Sequence, residues 1–157
     1  MTTNPFTSDP DRAAIWDMLM PRDFKAFAAQ DWQMVDGDFD QLRFLGIHAH
    51  GSSSPDHWTL AFPVLDAYRD EWLRQAAASA KVTYAEPLVP ALLRSVSLDR
   101  IDIAGDVAIA HKIFNGTIAL ANGGAETLDW RTVYHCRRND GRWQITGFTG
   151  YLPRSLS

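Results

Sequence analysis

Hydrophobic and polar residues alternate with a period of two near the end of the chain, which predicts a long β-hairpin with strands at 128–136 and 142–148. The residues between these strands include Asn139, Asp140 and Gly141. This composition is typical of a tight turn, because these residue types tolerate positive φ. Both strands are rich in aromatic side chains. Long aromatic hairpins commonly form the centre of a curved sheet, so the pattern indicates a sheet that encloses a pocket.

The first half of the chain has a helical period instead. A first helix is predicted to begin at Pro10, and a second is predicted to run from residue 22 or 23 to about 35. The apolar stripe of the second helix consists of Phe24, Phe27, Ala28, Trp32 and Val35. Asp31 lies on that same stripe, where a carboxylate is unexpected. A third helix is predicted over 63–80.

Loops and strands follow the helices. The Gly, Ser and Pro content of residues 48–57 predicts a loop, and residues 39–47 before it suit either a strand or an extended turn. An irregular piece is expected between Pro87 and Pro90. Further strands are predicted at 92–103 and 107–114. Helices followed by a run of antiparallel strands indicate an α+β fold, with the helices packed on one face of the sheet.

The composition describes one ordinary globular domain over residues 1–157, with 46% hydrophobic and 22% charged residues. Residues 1–8 are expected to form a flexible tail. The formal net charge of −4 argues against nucleic acid or an anionic membrane as the main partner. Cys136 is the only cysteine, the N-terminus lacks a signal-peptide pattern and no apolar stretch is long enough to span a bilayer. A cytoplasmic location is therefore expected.

Several short segments of this chain resemble the nuclear-transport-factor-2-like superfamily, specifically its SnoaL-like group. They are 28–32 (AAQDW), 68–72 (YRDEW), 105–108 (GDVA), 140–145 (DGRWQI) and 147–153 (GFTGYLP). The resemblance implies a cone-shaped, strongly curved mixed or antiparallel sheet with N-terminal helices packed over its concave face. It also implies a homodimer formed through the outer sheet face. The family includes isomerases, dehydratases, cyclases, epoxide hydrolases and non-catalytic binding or assembly domains, so the fold does not settle the function.

Alternation along the first strand of the final hairpin separates two faces. One face carries Trp130, Thr132, Tyr134 and Cys136, and the other carries Asp129, Arg131, Val133, His135 and Arg137. The aromatic face is the better candidate for the concave side, because two arginines and a histidine suit solvent or a dimer contact. Trp130 and Tyr134 either line a ligand pocket or fill the core. A buried Tyr134 hydroxyl would need a hydrogen-bond partner.

Asp31 is a candidate catalytic residue. A carboxylate on an apolar helical stripe should accept hydrogen bonds or have a raised pKa, because an unpaired buried charge is costly. In enzymes of the family that this chain resembles, a pocket carboxylate often serves as a general base. The alternative is a structural role, in which Asp31 accepts backbone N–H bonds and holds the helix to a neighbouring segment.

The strand at 107–114 must point a basic residue inward, since His111 and Lys112 occupy opposite faces. His111 could act as a proton shuttle, or it could be a hydrogen-bonded core or interface residue. Lys112 could pair with a carboxylate ligand or with Asp31. The sequence leaves open which of the two faces the pocket.

The loop at 48–57 contains His48, His50 and His57, which invites a metal-site interpretation. Their spacing matches no standard zinc motif, so no metal is predicted. Alternatively, the loop lies over the mouth of the pocket, with His48 or Trp58 touching a ligand. Trp32 and Tyr68, from the segments that resemble the family, complete the predicted ligand-binding set.

Three interpretations follow from these patterns. The first is a small-molecule-binding domain with an aromatic pocket for a small apolar or cyclic molecule. The second is a cofactor-free isomerase, dehydratase or hydrolase, with Asp31 and either His111 or Tyr134 as acid–base groups. The third is an assembly or partner-binding domain whose pocket is vestigial. No cofactor is predicted in any of them.

Overall fold

The computed structural model describes residues 2–156, and its centre is one six-stranded sheet. The strands are β1 (Leu45–His48), β2 (Thr59–Phe62), β3 (Val96–Ala104), β4 (Val107–Ala119), β5 (Ala125–Asn139) and β6 (Arg142–Leu152). Their order across the sheet is β2-β1-β6-β5-β4-β3. All neighbouring strands are antiparallel except β1 and β6, which are parallel. The predicted mixed sheet is confirmed.

Four α-helices pack on this sheet: α1 (Pro10–Asp17), α2 (Asp23–Ala29), α3 (Leu65–Ala80) and α4 (Leu88–Ser95). The Asp9 side chain caps α1 by accepting from the Arg12 backbone N–H, and Pro10 occupies the first position. A five-residue π-helical turn, Met18–Arg22, joins α1 to α2. Buried apolar side chains from these helices and from the inner sheet face form one core. The α+β cone with helices over the concave face is confirmed.

The final hairpin forms as predicted and is longer than predicted. Its turn places Asp140 at φ 50° and Gly141 at φ 80°, as a tight hairpin turn requires. Alternation along β5 also holds, because Thr132 and Cys136 are buried whereas Arg137 is exposed. The inner face of β5 is therefore the aromatic one.

Two predicted elements are wrong. Helix α2 ends at Ala29 because Gln30 adopts a left-handed conformation at φ 54°, and 3₁₀ turns follow where the helix was expected to continue to residue 35. The segment expected to be irregular and then a strand from residue 92 is helix α4 instead. Pro90 lies in the first turn of α4, where a proline is tolerated because its missing N–H has no helical partner.

Residues 2–8, expected as a flexible tail, contact the domain. Thr2 Oγ1 donates to the carbonyl of Leu93 at 2.6 Å, and Asn4 Nδ2 donates to the carbonyl of Ala13 at 3.1 Å. Phe6 packs against the core. Across the described chain, no helix combines the length and the apolar character that crossing a bilayer requires.

Candidate functional site

Aromatic rings fill most of the space enclosed by the cone. They belong to Trp32, Phe39, Phe44, Phe62, Tyr68, Trp72, Tyr134 and Phe148. The Tyr68 ring is central, with its centroid 4.9 Å from that of Phe148 and 5.4 Å from that of Phe44. The interior cavity that remains has a volume of only about 10 Å³. That space corresponds to roughly one water molecule.

Lys112 is the chemically unusual residue of this interior. Strand β4 buries Ala108, Ala110 and Lys112 on its inner face, and the Lys112 side chain is only 1% exposed. Its Nζ donates to the backbone carbonyl of Leu19, in the π-helical turn. The ammonium also lies 4.5 Å from the centroid of the Phe24 ring, a cation–π contact. The structure thus resolves the ambiguity of β4: Lys112 faces the interior.

Asp23, the first residue of α2, is the partner of Lys112. Its Oδ2 accepts from Lys112 Nζ at 3.1 Å, and its Oδ1 accepts from Trp72 Nε1 at 3.3 Å. The Asp23 side chain is 28% exposed, so the ion pair reaches solvent on one side. Burial lowers the pKa of Lys112, and the Asp23 carboxylate offsets part of that effect.

Two tyrosines complete the polar cluster, and both line the small cavity together with Asp23. Burial of the hydroxyl raises the pKa of Tyr68 well above its usual value, and the nearby Asp23 carboxylate raises it further. Burial likewise raises the pKa of Tyr134. Asp23, Lys112, Tyr68 and Tyr134 are hereafter called the interior polar cluster.

These tyrosines predict a loss of stability in alkali. Above about pH 10 the unfolded chain loses phenolic protons that folded Tyr68 and Tyr134 retain. The unfolded state then binds fewer protons, so the free energy of unfolding should fall as the pH rises. We expect tyrosinate absorbance to show that two of the four tyrosines ionise only on unfolding. In the Tyr68→Phe/Tyr134→Phe variant the alkaline decline should be smaller; an unchanged decline would contradict this assignment.

Asp31 lies on the surface, so its expected position on a buried stripe is wrong. Because α2 stops at Ala29, Asp31 becomes the N-cap of the 3₁₀ turn Trp32–Met34, and its Oδ1 accepts from the Gln33 backbone N–H at 3.0 Å. This is the structural role that was the alternative for this residue. The neighbouring Trp32 is buried in the aromatic interior.

His111 lies on the outer sheet face, opposite in direction to Lys112. Its Nδ1 is 3.5 Å from Arg131 Nη1, and its Nε2 is 3.8 Å from Asp102 Oδ2. Burial, and then the Arg100 and Arg131 charges, lower the pKa of His111. The structure therefore separates His111 from Tyr134 and the interior.

Two of the predicted ligand-binding residues meet in a row of stacked rings. Trp130 stacks on Phe114 with centroids 4.4 Å apart, and it lies 5.1 Å from Tyr151. Tyr151 stacks on His48 at 4.4 Å, and His48 stacks on His50 at 4.1 Å. His50 is exposed, and the other four rings are partly buried. We call these five residues the aromatic row.

The aromatic row reaches the buried lysine. At its inner end, the Phe114 ring centroid is 5.4 Å from Lys112 Nζ. Thr132, another predicted ligand contact, is buried and lies opposite Lys112 in the β4–β5 register. The row thus connects an exposed histidine to the interior polar cluster.

The histidine loop is held by its own hydrogen bonds. Ser52 Oγ is 2.8 Å from His57 Nδ1, and His50 Nε2 is 2.9 Å from Thr59 Oγ1. Trp58 Nε1 donates to the Ser52 carbonyl at 3.0 Å, which ties this side chain to the loop. Over residues 2–156, no group of three or more His, Cys, Asp or Glu side chains is placed to hold a metal ion.

Sequence reasoning missed Asp23 as a site residue. Residue 23 was considered only as a possible first residue of the second helix. Its partner Lys112 is 89 residues away in the chain, so no local pattern could reveal the pair. Cys136, on the inner face of β5, is buried, and burial raises the pKa of its thiol to about 12. The homodimer through the outer sheet face stays a prediction.

No protein-family model matches this chain, and none of the curated proteins does. Solved structures do match. A domain with a cystatin-like fold from Nostoc punctiforme PCC 73102 has a TM-score of 0.61 at 15% identity, covering 96% of this chain and 81% of its own. A nuclear-transport-factor-2-like protein from Pseudomonas putida KT2440 has a TM-score of 0.58 at 16% identity, with coverages of 100% and 93%. The functions of both are unknown.

A third structural neighbour is a Novosphingobium aromaticivorans protein named as a proposed aromatic ring hydroxylase. Its TM-score is 0.57 at 18% identity, covering 94% of this chain and 92% of its own. At these identities the likeness establishes the fold alone. The chain has the nuclear-transport-factor-2-like fold, with a buried aromatic cluster on its concave side. Its place in the SnoaL-like group stays a prediction.

Proposed function

We propose that this protein binds a small ring-shaped molecule in the interior of the cone. In this proposal the ring packs among the aromatic side chains, and a polar atom of the ligand contacts the interior polar cluster. The observation that carries the proposal is Lys112, an ammonium group that is almost completely buried beside the Asp23 carboxylate and 5.8 Å from the centroid of the Tyr134 ring.

The cost of this cluster is what favours a ligand-binding role. Burying an ion pair requires desolvation of both charges, and apolar side chains of similar volume often stabilise a core as well or better. Tyr68 and Tyr134 line the small cavity as well, so their hydroxyls are further polar groups in an otherwise aromatic and aliphatic interior. A filled aromatic interior alone would favour the vestigial-pocket interpretation. Filling the interior does not require charged and hydroxyl groups, so the interior polar cluster favours a binding function over a vestigial pocket.

The ligand must displace side chains to enter, because the present cavity has a volume of only about 10 Å³. Two features suit such an opening. Met18 and Leu19 line the cavity from the π-helical turn, and π-type turns are frequent at functional sites. The aromatic row provides a continuous ring surface from solvent to Lys112. A flat molecule could slide along it.

A second candidate function is acid–base catalysis at the same site. A pocket carboxylate acting as general base was predicted at Asp31. In this proposal Asp23 takes that role, and it lies within hydrogen-bond distance of Lys112. In this proposal Lys112 and the tyrosine hydroxyls donate to a carbonyl oxygen of the ligand, while the Asp23 carboxylate takes a proton from the adjacent carbon. No cofactor is needed for such a proton transfer.

One experiment tests both functions. Cyclohex-2-enone would be mixed with the protein in D₂O and followed by saturation-transfer NMR, which reports binding, and by loss of the ligand's exchangeable C–H signals, which reports proton transfer. We expect saturation transfer with the wild type and a several-fold weaker effect in the Tyr68→Phe/Tyr134→Phe variant. The matched control is Tyr84→Phe, because the Tyr84 hydroxyl bonds Ser79 and Glu126 away from the interior.

The outcomes separate the candidates. Binding without deuterium exchange supports a binding domain, and exchange that disappears in Asp23→Asn supports the enzyme. Equal saturation transfer in both tyrosine variants would place the ligand outside the interior polar cluster. No transfer at millimolar ligand, also with 4-hydroxybenzaldehyde, would contradict a ring-binding function.

A further inference from the structure

A second and much larger cleft, of about 360 Å³, shares no lining residue with the interior cavity. It lies at the outer face of the sheet, where Ser97, Ile113 and Arg131 are neighbours in register across β3, β4 and β5. Its polar lining includes Arg94, Arg131, Arg154, Ser95, Ser97 and Asn115. No aspartate or glutamate is among the described residues that line it. This is notable in a chain whose net charge is −4.

The three guanidinium groups come from helix α4, strand β5 and the segment after β6, and they retain unused donors. Arg154 donates from Nε to Asp129 Oδ1 at 2.7 Å, which leaves both of its terminal nitrogens without a bond to any described residue. Arg131 donates from Nε to the carbonyl of Arg154 at 3.1 Å, and no carboxylate in residues 2–156 lies within salt-bridge distance of it.

Arg94 is the most compensated of the three. Its guanidinium forms an ion pair with Glu86 and donates to the carbonyl of Thr117 at 3.0 Å. Glu86 and Asp129 thus offset two of the three positive charges from outside the cleft. One net positive charge remains, at Arg131.

Ser95 also lines the cleft, but its hydroxyl does not face a ligand there. The residue is only 5% exposed, and its Oγ is closed to solvent and has no hydrogen-bond partner among the described residues. A Cβ at Gly116 would lie 2.7 Å from this Oγ, so the hydroxyl lies against the Gly116 backbone of β4. The arginine side chains are therefore the groups that this cleft offers to a ligand.

We propose that this cleft binds the phosphate group of a small molecule. A guanidinium group pairs with phosphate oxygens through two parallel N–H bonds, and arginine is the residue that suits this geometry. A carboxylate has two oxygens and is satisfied by one arginine. A phosphate monoester has three terminal oxygens, so it can accept from more than one of the three guanidinium groups that line the cleft. The volume also leaves room for an organic part against Val96 and Ile113.

The test is titration of the full-length protein with phenyl phosphate, inorganic phosphate and citrate at low ionic strength, followed by calorimetry and by amide NMR shifts. We expect phenyl phosphate to bind and to shift the amides of residues 95–97 and 115. Arg131→Gln should weaken this binding about tenfold or more, the loss expected for a charged hydrogen bond. Equal affinity for inorganic phosphate would indicate recognition of the phosphate alone, and a higher affinity for phenyl phosphate would indicate that the organic part also binds.

The matched control is Arg137→Gln. Arg137 lies on the same strand and the same outer face as Arg131, but it does not line the cleft. Both variants change the net charge equally, so Arg137→Gln should alter the affinity by less than about twofold. Equal losses in the two variants would show nonspecific attraction and overturn the assignment. Citrate binding without phosphate binding, or no binding of either phosphate compound, would overturn it as well. Because the cleft and the interior cavity share no lining residue, none of these results tests the proposed ring-binding function of the interior.

Discussion

Replacing Asp23 by asparagine is expected to lower the free energy of unfolding by about 3 kcal/mol at neutral pH, because it leaves the buried Lys112 ammonium without its counter-charge. The asparagine retains a side-chain oxygen that can accept from Trp72 Nε1. The loss should therefore come from the uncompensated charge rather than from a broken tryptophan contact. Urea denaturation measured against the wild type gives the value directly.

Lys112→Met serves as the comparison. It removes the buried charge while keeping an unbranched side chain, and the remaining carboxylate is already 28% exposed and can be hydrated. We expect a smaller loss than in Asp23→Asn. The double variant Asp23→Asn/Lys112→Met should lie within about 1 kcal/mol of the wild type, since replacing a whole buried ion pair is often neutral. Additive losses in the double variant would contradict a coupled pair.

The pH dependence gives an independent check on the same pair. Burial holds the pKa of Lys112 in the folded protein below the ordinary value near 10.5 that applies in the unfolded chain. At a pH between the folded and the unfolded pKa, the unfolded chain therefore binds a proton that the folded chain lacks. Stability from this group therefore rises with pH across that window. Removing Asp23 lowers the pKa of Lys112 further and widens the window. The deficit of Asp23→Asn should accordingly shrink as the pH is raised, and a constant deficit would argue against a buried charge as its cause.

Gly147→Ala is the second substitution with a large expected effect. Gly147 lies in β6 opposite Leu45 of the parallel strand β1, and an added Cβ would lie 2.3 Å from the Leu45 carbonyl oxygen. The clashing atom belongs to the backbone, so no side-chain rotation can relieve it. We expect a loss of about 3 kcal/mol in the free energy of unfolding, through displacement of β1 from the sheet.

Gly124→Ala is the control for that variant. A Cβ there would meet only side-chain atoms, the nearer being Asn122 Oδ1 at 3.1 Å, in an exposed turn. Its cost should stay within about 0.5 kcal/mol. Amide hydrogen exchange should also show faster exchange in β1 for Gly147→Ala alone. Similar stability of the two alanine variants, with β1 still protected, would be incompatible with the close approach of the two strands.

The sheet was the predictable part of the fold. The period of two in β5 assigned Tyr134 and Cys136 to the inner face because alternation is a local property of the backbone, and the turn at Gly141 followed from residue type. The end of α2 could not be predicted in this way. Gln30 adopts positive φ although it is not a glycine, so no residue type in the sequence indicated that α2 ends at Ala29. That helix end is what places Asp31 on the surface.

The candidate site was less predictable than the sheet for a physical reason. Tyr68, Tyr134 and Lys112 were identified as candidates, but their importance depends also on Asp23, which was not identified and which begins helix α2. Whether Lys112 or His111 faces inward depends on the strand register of β4. Each of the two alternating faces of β4 carries apolar residues and one basic residue, so the sequence pattern does not distinguish them. Contacts between distant segments, rather than local propensity, decide these positions.

The proposed opening of the cone would bring water to Lys112, whose Nζ donates to the Leu19 carbonyl of the π-helical turn. When water enters around Lys112, the desolvation that lowers its pKa disappears, so the open form binds a proton more tightly than the closed form. Proton uptake and opening are then thermodynamically linked, in the pH range between the two pKa values. Within that range a lower pH favours the open form and a higher pH favours the closed one. In this proposal the hydrogen bond between Lys112 and the π-helical turn stabilises the closed form to a degree that depends on pH.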